Sequence, residues 1–248
     1  SRWYFSFVKR YAEAIDRQWP GRRLEVLAYG FYKQPPDFDL PDNLDVVYVG
    51  PPIHFAGDPA VYDGASRRLM RWGQMLGGDP SRLSMWWNIV SPTRRTSWTP
   101  FMYPNPLKRW LNEHGERVFG VTINGLNPYL RRAGIRGVDG TLLTYPMLWV
   151  QSRLLWDPPL DPDALLDRYC RDLYGPAAGP MGEAFDLIIE RWETLYPEND
   201  ALTRTEFIHL VRWPEDVAAR LWALLDRAES LTDADSLPGR RVRLYTSQ

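Results

Sequence analysis

The residues of this chain best suited to chemistry are aromatic rings and a few carboxylates. Its 248 residues include 12 tryptophans and 13 tyrosines, with 22 prolines. Rings of this kind pack on the C–H faces of sugars, and they equally build large cores. In "LSMWWNIVSP", Trp86 and Trp87 are adjacent and Asn88 follows. Adjacent residues of a strand point to opposite faces. Leu83, Met85, Trp87 and Ile89 therefore share an apolar face, and Ser84, Trp86 and Asn88 share the other. Trp87 is expected in the core. Trp86 is expected to be a lumen-layer or sugar-platform residue, and Asn88, nearer the strand's C-terminal end, is the better candidate for touching a ligand.

Carboxylates near predicted strand ends are few: Asp37 and Asp39 after the first strand, Asp58 after the second and Asp139 at the last. Asp139 fits either a catalytic or sugar-binding carboxylate or a turn residue accepting backbone hydrogen bonds. His54, between Ile53 and Phe55, fits either a ligand contact or a hydrogen-bonded structural histidine. The long connection from Ser91 to about Asn105 holds Arg94, Arg95, Trp98, Phe101 and Tyr103 among prolines. Loops of this length are usually functional or disordered. Its aromatic residues favour an ordered binding loop, with Arg95, Trp98 and Tyr103 as substrate contacts. The arginines could clasp an acidic sugar or stay solvated.

Other chemistries find no support. Three histidines and one cysteine make no metal-ligand spacing, and no phosphate loop or nucleophile elbow occurs. No metal or cofactor is expected. The balance of 30 basic and 31 acidic residues, net −1, lacks the basic excess of a nucleic-acid binder. No apolar run approaches the roughly 20 residues that span a membrane. A lone Cys170 excludes an internal disulfide framework.

These residues need elements to hold them. Tyr4, Phe5, Val8, Tyr11, Ala12, Ile15 and Trp19 have helical spacing. Strands are expected over Leu24–Tyr32, Leu44–Gly50, Arg82–Val90 and Ile135–Thr141. A helix is expected from Pro59 to Leu76, more helical material in "PLKRWLNEH", and a strand or loop over Val118–Ile123. Later segments are helical. One has Asp161 as N-cap, Pro162 at its first position and Gly175 past its end. Its inner face includes Cys170. Strands alternating with helices imply a parallel sheet of βαβ units. A whole (β/α)8 barrel needs eight such units. Four are visible, which predicts half a barrel over 1–157 and a helical region over 158–248.

The segment Thr144 to Met181, "TYPMLWVQSRLLWDPPLDPDALLDRYCRDLYGPAAGPM", resembles the bacterial domain-of-unknown-function 4838 family. Leu154 to Pro158 and Tyr174 to Ala178 carry its motif. Upstream, Leu27-Ala28-Tyr29 and Pro35-Pro36 look like the family's fifth strand and the loop after it. The resemblance implies a TIM-type barrel related to alpha-glucuronidases and beta-hexosaminidases, of which this chain would be the C-terminal half. It implies a glycan ligand, and hydrolysis of glycosidic bonds by carboxylate acid–base catalysis. Asp139 is the catalytic candidate. Tyr29, Tyr32, His54, Trp86, Asn88, Arg95, Trp98 and Tyr103 are the substrate-binding ones. The general acid is expected on a strand before Ser1. The segment alone is then expected to be inactive, partnered by the missing half or by a second copy across exposed sheet edges. Secretion or a periplasmic location is implied too. Where the family often has Trp-Asp-Tyr, this chain has Trp86-Trp87-Asn88. Where a glutamate often ends the last strand, it has Val138-Asp139-Gly140-Thr141. Both departures suit the alternative of a carbohydrate-binding domain that kept the barrel and lost the acids.

Overall fold

The computed structural model describes residues 1–50, 58–87, 102–123, 145–195 and 206–246. Within them the chain forms two compact units. One comprises 1–50, 58–87 and 110–123, and the other 102–109, 145–195 and 206–246. The expected strand Ile135–Thr141, and with it Asp139, lies outside the described residues.

The first unit is a four-stranded parallel sheet in sequential order, β1 Leu24–Ala28, β2 Leu44–Val49, β3 Leu83–Trp87 and β4 Val121–Ile123. Sequential parallel strands joined through helices are the arrangement of half a (β/α) barrel. Helix α1, Arg2–Gln18, precedes β1 and buries Phe5, Val8 and Ala12. Helix α2, Pro59–Met75, connects β2 to β3 and buries Tyr62, Ala65, Leu69 and Trp72. The Phe5 and Trp72 rings meet at 5.2 Å, so the two helices share a core. Helix α3, Pro104–His114, runs between β3 and β4.

Alternation sorts the strands into two faces. Leu44, Val46, Tyr48, Leu83, Met85 and Trp87 are all buried on the helix-covered face. Trp87 is 2% exposed and meets Trp110 of α3 edge-on at 6.4 Å. Gly50 continues that face. A Cβ there would lie 3.1 Å from Met85 and 3.2 Å from the Trp87 ring, so a side chain would have to push these neighbours aside by a few tenths of an ångström. The opposite face carries Glu25, Leu27, Val47, Val49, Ser84, Trp86 and Thr122.

One strand is shorter than its composition predicts. Apolar and aromatic residues run to Tyr32, but β1 stops at Ala28 and a 3-10 turn occupies Gly30–Tyr32. Gly30 adopts φ +54°, a conformation that interrupts the ladder and that side chains resist.

The second unit is helical: α4 Tyr145–Trp156, α5 Pro162–Tyr174, α6 Ala178–Glu193, a π-helical turn Phe207–Arg212, α7 Glu215–Ser230 and α8 Leu237–Thr246. The predicted boundaries of α5 hold. Asp161 accepts from the Asp163 N–H, Pro162 opens the helix, and Gly175 ends it at φ +51°. Tyr169, Tyr174, Phe185 and Tyr245 form an aromatic core, and the Tyr174 and Tyr245 hydroxyls are 3.0 Å apart. Cys170 is buried beside them. Burial first, then Asp167, pushes its thiol up to about 12, so it is an inert packing residue as expected. A cut at 157 would separate α4 from α5, yet both belong to this unit.

Candidate functional site

In a parallel barrel-type sheet, ligands meet the C-terminal ends of the strands. The described residues there are Tyr29 after β1, Val49-Gly50 at the end of β2, Trp86-Trp87 at the end of β3 and Thr122-Ile123 at the end of β4. Register makes Trp86 the neighbour of Val49 on one side and of Thr122 on the other. The Gly50 N–H donates to the Trp86 carbonyl at 3.1 Å, fixing its backbone. Trp86 lies on the face away from the helices and is partly exposed, as the alternation of "LSMWW" predicts. Tyr29 continues β1 in an extended conformation on that same face and is 49% exposed. Thr122 is exposed beside them. The group offers a partly open indole, a phenol and a hydroxyl on a rigid sheet.

Tyr32 goes elsewhere. The 3-10 turn swings it toward α1, where it stacks on Tyr4 at 4.2 Å. It stands edge-on to Phe31 at 4.9 Å. The expectation of a substrate contact rested on a strand reaching Tyr32, and Gly30 ends that strand. Tyr103 belongs to the second unit and is a core residue at 1% exposure. Its N–H donates to Met147 Sδ at 3.4 Å, and burial pushes its hydroxyl well above the usual phenol range. A loop position rich in proline suggested exposure, but Tyr103 directly precedes α3 and packs with it. His54, Asn88, Arg95, Trp98 and Asp139 lie outside the described residues.

Of the other carboxylate candidates, Asp58 is the N-cap of α2, accepting from the N–H groups of Ala60 (2.9 Å) and Val61 (3.3 Å). That is a stabilising role of about 1 kcal/mol. Asp37 pairs with Arg2 at 3.0 Å on the exposed surface, an arrangement worth little. Asp39 is engaged through its carbonyl, which accepts from Lys9 at 3.0 Å. Among the described strand ends there is no carboxylate. Among the described residues, no group of three His, Cys, Asp or Glu is placed to hold a metal. His114 is buried against the Trp110 ring with Nε2 2.8 Å from Ser66 Oγ, a packing role. No described helix is long and apolar enough to cross a membrane.

Sequence reasoning missed one cluster. Arg68 of α2 donates through Nε to the Tyr48 hydroxyl at 3.2 Å, and Trp72 donates through Nε1 to the Lys33 carbonyl at 2.9 Å. Burial first, and then the charge of Arg68, holds the Lys33 amine below its usual range. The only sequence signal was Tyr48, a phenol inside an apolar strand, which must find a partner when buried. A separate cavity of about 520 Å³ lies between the C-terminal halves of α2 and α3, lined by Leu69, Gln74, Asp79 and Glu113. Asp79 precedes β3, so this cavity is at the opposite end of the sheet from the strand C-termini.

A family model described as a domain of unknown function (DUF4838) matches residues 1–185. No curated protein and no solved structure gives a significant match.

Proposed function

The chain belongs to the DUF4838 family, and on that premise we propose that it binds a glycan at the C-terminal ends of its parallel strands. The observation that carries this reading is the partly exposed Trp86, flanked in register by Val49 and the exposed Thr122, with Tyr29 on the same face. An aromatic platform with hydroxyls around it suits sugar rings, which present C–H faces and hydroxyl edges together. Asn88, which follows Trp87 in the sequence, and Asp139 are the further polar contacts that this reading expects. Trp98, Arg95 and His54 would come from the loops above.

Hydrolysis is the second part of the proposal. It needs a pair of carboxyl groups flanking the scissile bond. Asp139 is this chain's candidate for one of them, and the other would come from outside it. The departures from the family pattern at Trp86-Trp87-Asn88 and at Val138-Asp139-Gly140-Thr141 support the alternative, a carbohydrate-binding domain without catalysis.

Calorimetry on a panel of neutral and acidic oligosaccharides tests the binding. Trp86→Ala is expected to weaken the best ligand by about tenfold or more, the loss expected for a stacked ring. Equal binding by that variant would reject the platform. An aryl-glycoside assay of the longest natural form, with Asp139→Asn as control, then separates hydrolysis from binding alone.

A further inference from the structure

Arg68 and Trp72 stand one turn apart on α2, on the same face. Trp72 pins the Lys33 carbonyl at 2.9 Å, which places Lys33 within about one turn of Arg68 along that helix. Arg68 in turn reaches the hydroxyl of Tyr48. Tyr48 is the residue of β2 that pairs with Ala28, the last residue of β1. The Lys33 backbone and the Arg68 and Tyr48 side chains therefore meet behind the C-terminal ends of the first two strands, with the Arg68 charge near enough to act on the Lys33 amine.

Both cationic side chains are only partly exposed. Among the described residues, neither has a carboxylate within ion-pair distance. Two like charges half withdrawn from water repel each other and lose solvation, an arrangement that a counter-ion relieves. The guanidinium uses Nε for Tyr48, which leaves both Nη groups without a hydrogen-bond partner among the described residues.

We propose that Lys33 Nζ and the Nη groups of Arg68 form a binding site for an oxyanion: a carboxylate, sulfate or phosphate group. Arg68 supplies the planar fork that matches two oxygens, and Lys33 supplies a compact charge. Tyr48 is fully buried, and by accepting the Arg68 Nε–H it holds the guanidinium fork in place. The anion can be free in solution or carried by a larger molecule such as a uronic acid. The inference rests on Lys33 and Arg68, with Tyr48 anchoring the latter, and is independent of the glycan reading.

The test is titration of the 248-residue chain with sodium sulfate at neutral pH, with sodium chloride holding ionic strength constant. The readouts are the Lys33 side-chain NMR signal and the melting temperature. Wild type is expected to show a saturable shift of Lys33 and a rise in melting temperature. Lys33→Met and Arg68→Lys are each expected to weaken sulfate by about tenfold, the loss of one charge-assisted hydrogen bond. Lys33 lies in a connecting segment, so its variant is expected to keep the fold, checked by circular dichroism. Parallel titrations with phosphate and with a uronic acid identify the source. Tighter uronic acid assigns the site to a sugar-borne carboxylate, and tighter inorganic ion assigns it to a free anion. No effect of any of the three beyond chloride, or unchanged affinity in both variants, overturns the proposal.

Discussion

The two units treat the same kinds of residue in opposite ways. In the helical unit, Tyr169, Tyr174, Phe185 and Tyr245 close on one another, and the Tyr174 and Tyr245 hydroxyls bond to each other inside the core. In the sheet unit, one face is closed in the same manner by α1, α2 and α3. The other leaves Leu27, Tyr29 and Thr122 exposed and Trp86 half open. A saturated aromatic cluster contributes stability and has no free surface for a ligand. A rigid sheet with aromatic residues on an open face costs solvation, and such a surface usually marks a binding site. The difference directs functional experiments to the sheet and stability experiments to the helices.

The sharpest break of this comparison uses the two neighbouring tryptophans. Trp87→Ala removes a fully buried ring from between the sheet and α3. It is expected to cost about 3–5 kcal/mol of unfolding free energy, the usual range for truncating a buried aromatic. Trp86→Ala, one residue earlier, is expected to cost about 1 kcal/mol. Urea denaturation monitored by circular dichroism checks both. Similar costs would mean that both faces of β3 are equally packed, and the contrast between open and closed faces would fail.

That contrast was legible in the sequence. Alternation in "LSMWW" assigned Trp87 to the core and Trp86 to the other face because a strand has a strict period of two. The caps of α5 were legible for a similar reason. Asp161, Pro162 and Gly175 each meet a local backbone need. What failed was everything that depends on a single backbone dihedral or on tertiary neighbours. The positive φ of Gly30 is invisible in a run of apolar and aromatic residues, so β1 was drawn too long and Tyr32 on the wrong side. Helix α4 is apolar nearly all round, and such a pattern does not say which layer it joins. Its grouping with α5 was therefore missed. The pairing of Lys33 with Arg68 joins residues 35 positions apart through Trp72, and no local pattern encodes it. Asp139, His54, Asn88, Arg95 and Trp98 fall outside the described residues, and their roles rest on the family resemblance and strand position.

Two smaller effects sharpen the helical side. Asp161→Ala removes the side-chain acceptor for the Asp163 N–H and is expected to cost about 1 kcal/mol. Asp161→Asn should recover most of it, since the amide oxygen can also cap. Tyr174→Phe deletes one partner of the 3.0 Å hydroxyl pair and leaves the Tyr245 hydroxyl buried. The expected cost is about 1–2 kcal/mol. A neutral result would show that the cluster is held by ring packing alone.

The smallest expected effect is a pH dependence at Glu193, where the helical unit withdraws a charge from solvent. Its carboxylate accepts from the Asn105 N–H (3.0 Å) and from Asn105 Nδ2 (2.8 Å), at the first turn of α3. Burial raises its pKa, and the two Asn105 bonds, which favour the charged form, offset this only in part. The folded state therefore binds the Glu193 proton more tightly than the unfolded state does. The sign follows from linkage. This group's stabilising contribution is complete below the unfolded glutamate pKa. It is lost as pH rises through the raised folded value. Wild-type stability should carry a downward component across that window, which Glu193→Gln removes. At neutral pH the variant is expected to differ from wild type by less than about 1 kcal/mol, because relief from burying a charge opposes the loss of an acceptor. Urea unfolding of both proteins from pH 4 to pH 7 measures the slope. An unchanged slope in the variant would mean that the Asn105 bonds fully offset burial, and that the helical unit tolerates this charge as readily as solvent does.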